Sequence, residues 1–221
     1  MENRTVLIDI CGTLFDSNTT LDFLDFLLCS RSYRLLRRMA RSLPWRAFNR
    51  GFRRLTGRDP TREMLLRHLR GYTRQELATA AEAFYETCLA ARIRPRLQEI
   101  VAEVKAAGYE PCLASATLDC IARTVARRWG IGRCCASELD YDGDRCTGRL
   151  RRDLLGRKLE YLKEAGILPP FAMTITDDRS DMPLLRLSER VLVVARRKRA
   201  ARWRRALRKN RITRYQILCC N

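Results

Sequence analysis

The stretch Val6-Leu7-Ile8-Asp9-Ile10-Cys11-Gly12-Thr13-Leu14 decides the fold of this chain. It begins with a short run of aliphatic and β-branched residues and breaks at a glycine, a pattern typical of a buried strand that ends in a tight loop. A strand of this kind carries the acidic residue at its end to the edge of a sheet. We therefore predict a first buried strand that presents the Asp9 carboxylate.

The remainder of the sequence falls into a helical block and an alternating block. Residues 19–89 show helical periodicity that predicts about four helices and no strand. Beyond Pro95 the patterns alternate, and they predict helices at 96–107, 119–129, 156–165 and from 182, strands at 110–114, 172–176 and 191–194, a hairpin at 136–150, and a basic tail. Alternation of this type is typical of a parallel sheet.

The predicted fold class is therefore α/β, with a doubly wound (Rossmann-like) parallel sheet as its core and an inserted all-helical cap domain. The predicted core is residues 1–16 plus 92–221, and the predicted cap is residues 17–91. A chain of 221 residues has the length for one sizeable core with an insert. No apolar run reaches 18 residues, the length needed for a membrane-spanning helix.

Composition restricts the chemistry and the compartment. His68 is the only histidine, which excludes histidine-rich zinc sites and leaves a serine or cysteine nucleophile with one candidate base. The apolar run near the start, Val6 to Ile8, is too short for a secretory signal. We therefore expect a cytoplasmic protein with reduced cysteines, whose catalysis rests on carboxylates, hydroxyls and lysine.

Polar side chains stand where the predicted strands end, which is the edge where parallel sheets bind ligands. Three carboxylates could bind Mg²⁺ through oxygen, a serine and a lysine could contact a phosphate group, and the first carboxylate could attack phosphorus. This combination suits phosphoryl transfer. The residues are Asp9 with Thr13, Ser115 with Ala116, Lys158, Asp177 and Asp181.

In sequence order these residues resemble the four motifs of the haloacid dehalogenase superfamily, in its phosphoserine-phosphatase-like branch with a helical, C1-type cap. Asp9-Ile-Cys-Gly-Thr-Leu14 resembles the DxDGTL first motif, residues 113–117 the second, Lys158 the third, and Asp177 with Asp181 the DxxxD fourth. Residues 137–148 are similar to the hairpin that precedes the lysine in that branch.

The resemblance implies a magnesium-dependent phosphate monoester hydrolase that acts on a small phosphorylated substrate through an aspartyl phosphate. It places Asp9 and Cys11 at the catalytic positions. It places Thr13, Ser115, Ala116 and Lys158 at the phosphate. The implied Mg²⁺ ligands are Asp9, the backbone carbonyl of Cys11, Asp177 and Asp181.

Cys11 departs from the family's pattern, because an acid normally stands two residues after the nucleophile. A thiol with an ordinary pKa of about 8.5 is a poor general acid and base, and losing the carboxyl typically costs roughly 10²- to 10⁴-fold in rate. Three outcomes stay open: a slow phosphatase, an enzyme whose substrate needs no acid, or a protein that binds a phosphorylated ligand or an anionic membrane surface.

Asp16 could replace the acid or cap a helix. Asn18 stands where phosphoserine phosphatases typically carry an acid, which argues against phosphoserine as substrate.

The basic residues predict anionic partners. The formal net charge is +19, and residues 31–55 place nine arginines among aromatic and aliphatic residues. This segment either packs its apolar stripe inside the cap or lies on an anionic membrane. The basic tail, residues 196–214, could contact nucleic-acid phosphates, but no reading motif accompanies it, so nucleic acid is disfavoured as the main partner. The sequence gives no indication of oligomeric state.

Overall fold

A computed structural model describes residues 4–220; residues 1–3 and 221 of the predicted core lie outside the described residues. Seven strands form one sheet in the order β4-β3-β2-β1-β5-β6-β7. Every neighbouring pair is parallel except the β3–β4 hairpin. The predicted parallel α/β core is confirmed. The strands are β1 (Thr5–Ile8), β2 (Glu110–Leu118), β3 (Arg133–Asp142), β4 (Arg145–Arg152), β5 (Phe171–Thr176), β6 (Ser188–Arg196) and β7 (Tyr215–Cys220).

Ten α-helices occur within residues 4–220, and the first five follow one another between β1 and β2. They are α1 (Thr19–Leu27), α2 (Arg31–Arg41), α3 (Leu43–Thr56), α4 (Pro60–Leu66) and α5 (Arg74–Phe84). The remaining helices alternate with the strands: α6 (Pro95–Ala106), α7 (Asp119–Arg128), α8 (Lys158–Glu164), α9 (Met182–Leu185) and α10 (Ala200–Lys209). A short π-helical turn, Tyr85–Leu89, and a 3₁₀ turn, Ala90–Arg92, connect α5 to α6.

The helical block contains five α-helices where the sequence predicts about four. The extra helix arises because Ser42 alone separates α2 from α3, and its extended backbone (φ −65°, ψ 149°) ends one helix and begins the next. Pro44 lies in the first turn of α3, where a missing N–H costs nothing. Gly51, which suggests a break in the sequence, lies inside α3. No strand is formed by residues 19–89, as predicted.

The basic tail is wrong as a description of the C-terminal region, which folds into α10 and β7. Trp203 and Leu207 on one face of α10 are buried against Val191 and Val193 of β6. β7 then pairs in parallel with β6 along its full length. Arginines occupy the outer face of α10 and hide the helical spacing of its apolar residues in the sequence.

The cap helices share one hydrophobic core with the sheet. Phe23, Leu65 and Phe84 belong to the same buried cluster as Ile8 and Ile10. The cap also contacts the hairpin through backbone hydrogen bonds, from the Gly71 N–H to the Cys146 carbonyl (2.9 Å) and from the Cys146 N–H to the Tyr72 carbonyl (2.8 Å).

The hairpin and the cap approach so closely that one position requires glycine. Gly148 has φ +77°, and a Cβ there would lie 2.9 Å from the backbone of Arg67. These contacts fix the position of the cap beside the sheet. Among the described residues, no helix is long and apolar enough to cross a lipid bilayer.

Candidate active site

Asp9 lies at the carboxyl end of β1 and is almost completely buried. Its N–H donates to the carbonyl of Ile175 in β5 (3.0 Å), which aligns the two neighbouring strand ends. The chain then turns at Gly12, whose φ of +73° favours glycine. A Cβ at Gly12 would overlap the carboxylate of Asp177, so the loop after β1 and the loop after β5 meet here.

Lys158, the first residue of α8, connects two carboxylates. Its Nζ lies 3.0 Å from Oδ1 of Asp9 and 2.8 Å from Oδ2 of Asp181, and all three side chains are buried. The Thr176 hydroxyl donates to the same oxygen of Asp181 (2.6 Å). Burial alone would lower the pKa of Lys158, but the charges of Asp181 and Asp9 outweigh it and raise that pKa. The lysine is therefore a fixed cation between the two carboxylates.

Thr13 holds Asp177 beside Asp9. Its hydroxyl lies 3.1 Å from Oδ1 of Asp177 and 3.4 Å from Oδ2 of Asp9, and it accepts the Asp177 N–H (3.0 Å). Burial, and then the negative charge of Asp9, raises the pKa of Asp177 to about 7. Two carboxylates this close, with a single hydroxyl proton between them, would be stabilised by a bound cation.

This donor set fits Mg²⁺. Mg²⁺ takes oxygen ligands and usually keeps several waters, so that one or two protein carboxylates are enough to hold it. Asp9 and Asp177 supply these carboxylates. Asp181 has one oxygen engaged by Lys158 and Thr176. Within residues 4–220 no three histidine, cysteine, aspartate or glutamate side chains are arranged so that they could bind one metal ion without other ligands.

Replacing Asp177 with asparagine is expected to stabilise the metal-free protein above neutral pH. Because the pKa of Asp177 is raised from 3.8 to about 7, the folded state retains a proton that the unfolded state loses, and stability falls as the pH rises through this window. The asparagine variant removes that loss and should raise the free energy of unfolding at pH 8 by roughly 1–3 kcal/mol. Urea unfolding in the presence of a chelator, at pH 5 and pH 8, measures the difference.

The matched control is Asp142→Asn, which removes an exposed carboxylate at the last residue of β3. It should leave the pH dependence of stability unchanged. Equal pH profiles for Asp177→Asn and the unmodified protein would contradict the proximity of Asp177 to Asp9.

Ser115, Ala116 and Thr117 lie in the last part of β2, where its pairing with β3 shifts register between Ser115 and Leu118. The hydroxyl of Ser115 is completely buried, lies 3.0 Å from that of Thr117 and accepts the Thr117 N–H (3.3 Å). Thr117 in turn hydrogen-bonds Thr19 at the start of α1 (2.7 Å). The predicted phosphate-contacting serine thus lies in a hydroxyl network that joins the core to the cap.

Arg62 of the cap reaches the same end of β2. Its guanidinium donates to the carbonyl of Ala116 (2.5 Å) and to Oδ1 of Asp153 (2.6 Å), and its side chain is buried. Its Nε has no hydrogen-bond partner. A buried cation from the cap therefore lies against the predicted phosphate-contacting residues at the end of β2.

Cys11 lies between Asp9 and Gly12, with its thiol directed at the carbonyl of Ser17 (3.4 Å). Burial, and then the charges of Asp9 and Asp177, raises the pKa of Cys11 to about 12. The thiol therefore keeps its proton at pH 7.

Asp16 is not a helix cap. Asn18 caps α1, its side chain accepting the Leu21 N–H, while Asp16 forms an ion pair with Arg94 (2.9 Å). Its side chain is largely exposed. Arg94 reaches back from the start of α6 and also contacts the Gly12 carbonyl (3.4 Å). This pairing holds Asp16 on the outside of the loop and gives no support to Asp16 as the missing acid.

Comparison with known proteins identifies the family. The model for haloacid dehalogenase-like hydrolases matches residues 6–186, which include every motif residue described above. The chain belongs to this family. Among curated proteins, no sequence matches the chain.

Solved structures share the fold of this haloacid dehalogenase-like hydrolase at low sequence identity. A protein of unknown function from Bordetella pertussis Tohama I has a TM-score of 0.68 and 21% identity over 98% of each chain. A phosphoserine phosphohydrolase-like protein from Francisella tularensis has a TM-score of 0.57 and 16% identity over 88% of this chain and 87% of its own. A substrate-bound phosphoserine phosphatase has a TM-score of 0.55 and 14% identity, with the same coverage.

The structure brings most of the predicted site residues of this hydrolase together. Contacts join Asp9, Thr13, Lys158, Asp177 and Asp181, whereas Ser115 and Ala116 connect to the cap. Their roles toward metal and phosphate stay predictions. The sequence does not single out Arg62 and Arg94, because a chain with 39 arginines gives no reason to assign a function to any one of them. The Asp59-Pro60 helix start was the available clue, because it places Arg62 in the first turn of α4.

Proposed function

We propose that this hydrolase cleaves phosphate monoesters through an aspartyl phosphate on Asp9, with Mg²⁺ bound nearby. The observation that carries the proposal is the buried triad in which Lys158 contacts both Asp9 and Asp181. The protonated lysine holds the Asp9 side chain in place and supplies positive charge where a phosphoryl group would be transferred. A buried group of titratable side chains with perturbed pKa values at a strand end is typical of a functional site.

Asp9 and Asp177 would hold Mg²⁺, together with the backbone carbonyl of Cys11. When bound, the ion supplies positive charge that offsets the phosphate oxygens and the two carboxylates. The chain's own groups perform the other tasks. Thr13 orients both carboxylates through its hydroxyl, and Lys158 fixes the rotamer of Asp9.

The first chemical step joins an Asp9 carboxylate oxygen to phosphorus while the bond from phosphorus to the ester oxygen breaks. The leaving oxygen needs a proton when it is an alkoxide and none when it is a stabilised phenolate. In the second step, water attacks the aspartyl phosphate and must lose a proton. A thiol with a pKa of about 12 cannot accept that proton efficiently at pH 7, so we expect the second step to limit turnover.

The substrate is a small phosphorylated molecule other than phosphoserine. Asn18 argues against the phosphoserine ammonium group, because its amide is neutral and its oxygen already accepts the Leu21 N–H as the cap of α1. Arg62, buried beside Ala116 at the end of β2, adds a positive charge near the proposed phosphate position. A substrate with a second anionic group near its phosphate would suit this site better than one with an amine.

Metal removal tests the proposal. Phosphate release from p-nitrophenyl phosphate should require Mg²⁺, stop on addition of EDTA, and return when Mg²⁺ exceeds the chelator. The reason is that Asp9 and Asp177 repel each other and the substrate without a cation between them. Turnover that is indifferent to EDTA would contradict the proposed metal site.

A second function follows from Cys11 alone: a protein that binds a phosphorylated ligand without turning it over. Its thiol lacks the acid–base capacity that turnover requires, while the contacts of Asp9, Lys158 and Asp177 do not depend on it. Equilibrium binding of inorganic phosphate with Mg²⁺, without hydrolysis of any ester in a panel, would favour this function over the first.

A further inference from the structure

Helix α3 packs against the rest of the protein without burying any residue along its 14 positions. Its contacts are made by Trp45, whose indole N–H donates to the Thr61 hydroxyl (2.7 Å), and by Asn49, whose side chain accepts the Thr61 N–H (3.3 Å). Phe52 is half-buried on the same face. α3 therefore contacts α4 through one face, adjoins α2, and leaves its remaining surface open to solvent.

A second face of α3 is apolar and exposed. Pro44, Phe48, Gly51 and Leu55 recur at helical spacing, and all four are exposed, with Leu55 at 89% and Phe48 at 53%. Six of the seven large hydrophobic side chains that are exposed within residues 4–220 lie between Phe26 and Leu55. Soluble proteins usually leave such side chains exposed singly, and a concentration of them marks a surface for a partner.

The third face of α3 is basic. Arg46, Arg50 and Arg54 follow one another at intervals of four residues and lie beside the apolar face. Between Asp25 and Asp59 the chain holds ten arginines and no acidic residue. Six of these arginines have no ion-pair partner in the part of the chain that the structure describes: Arg31, Arg34, Arg38, Arg46, Arg50 and Arg54.

We propose that the exposed apolar and basic faces of α3, with the exposed Leu35 and Met39 of α2, dock this protein on an anionic lipid surface. The proposal goes beyond the hydrolase activity and does not depend on it. An interfacial helix places its apolar side chains at the boundary between headgroups and acyl chains, and arginines beside them reach the anionic headgroups. Both requirements are met on the same 14-residue helix.

Two other occupants suit this surface less well. A second copy of the chain would bring two clusters of unpaired arginines together, and the net charge of +19 opposes association anywhere on its surface. Nucleic acid would pair with the arginines, but it would leave the aliphatic Leu35, Leu43 and Leu55 in water. Only a lipid surface uses both kinds of side chain.

Vesicle sedimentation tests the proposal on the full chain. The protein should sediment with vesicles of equimolar phosphatidylglycerol and phosphatidylcholine, not with phosphatidylcholine alone, and high salt should release it. The variant R46Q/R50Q/R54Q should lose on the order of 100-fold in vesicle affinity. The variant L43S/F48S/L55S, which also removes the exposed Leu43 at the first position of α3, should lose about tenfold or more. Unchanged thermal unfolding of both variants shows that the fold is kept.

The matched control is R202Q/R204Q/R205Q, which removes the same charge from exposed positions on α10. There the apolar face, Trp203 with Leu207, is buried against the sheet. This variant should keep most of its vesicle affinity, since its arginines have no apolar face beside them.

Four results would overturn the proposal. They are equal binding to neutral vesicles, no binding to either vesicle, an equal loss in the α10 variant, and an unaffected L43S/F48S/L55S variant. The last result would mean that the surface binds polyanions in general. A labelled single-stranded RNA that binds the unmodified protein and the L43S/F48S/L55S variant equally would identify it as such. A dimer in sedimentation velocity that the serine substitutions dissociate would identify a second copy as the occupant.

Discussion

Replacing Cys11 with aspartate is expected to accelerate phosphate monoester hydrolysis by roughly 10² to 10⁴, which corresponds to about 3–5 kcal/mol of transition-state stabilisation. The thiol keeps its proton at pH 7, because burial and the charges of Asp9 and Asp177 raise its pKa to about 12. A carboxyl group at the same position could donate a proton to the leaving oxygen and then accept one from water. Steady-state kinetics with alkyl and aryl phosphates measure the gain.

The gain should depend on the leaving group. A phenolate needs no proton in the first step, so the unmodified protein should release about one equivalent of p-nitrophenolate quickly and then turn over slowly. The aspartate variant should abolish this burst because it accelerates hydrolysis of the aspartyl phosphate. Rapid-mixing absorbance measurements distinguish the two time courses.

Cys11→Asn is the matched control, since it has the shape of aspartate and no acid or base. The asparagine variant should hydrolyse phosphate monoesters no faster than the unmodified protein. It keeps the backbone carbonyl that the proposed metal site uses. Equal rates for the asparagine and aspartate variants, or no metal-dependent activity in either, would refute the role assigned to position 11.

The sequence predicts the centre of the fold well because the centre depends on short-range patterns. Val6 to Ile8 forms a completely buried strand, and its neighbours β2 and β5 come from runs with the same signature. The family resemblance and the alternation of patterns agree on a parallel sheet with a helical cap. Both features are present in the structure.

The edges of the fold were harder to predict, for a compositional reason. Arginines fill the outer face of α10, so the two buried residues Trp203 and Leu207 stand out little from a charged background. β7 has only partly buried or exposed residues, because it lies at the edge of the sheet. An edge strand lacks the alternating pattern that a buried face imposes, and its pairing with β6 is a long-range contact.

The candidate site also contains residues that the sequence predicts and residues that it does not. Lys158 was predictable because only five lysines occur among 44 basic residues. Asp16 and Asn18 are both residues that could cap α1, and the sequence alone does not separate them; the structure shows that Asn18 accepts the Leu21 N–H. Arg62 was missed because its partner, the Ala116 carbonyl, is 54 residues away in sequence. A hydrogen bond to a backbone carbonyl so far away in the sequence requires no particular residue type at the accepting position, so it cannot be recognised from the sequence.

Replacing Asp9 with asparagine is expected to remove turnover in both the unmodified protein and the Cys11→Asp variant, with a fall of at least about 10³-fold in the latter. An amide oxygen is a far weaker nucleophile toward phosphorus than a carboxylate. The fold should survive, since Lys158 keeps its contact with Asp181 at 2.8 Å. Loss of the Asp9 charge should also lower the pKa of Asp177, because that charge helps to raise it.

The Cys11→Asp/Asp9→Asn double variant separates the nucleophile from every other contribution. It retains the new acid, Lys158, Thr13 and Asp177, so any residual turnover must come from a different nucleophile or from a contaminating phosphatase. The burst of p-nitrophenolate should disappear together with the steady-state rate, because both originate in the same bond from Asp9 to phosphorus. If hydrolysis persisted in the double variant while chelation still stopped it, water would be attacking the substrate directly, and Asp9 would serve only as a metal ligand.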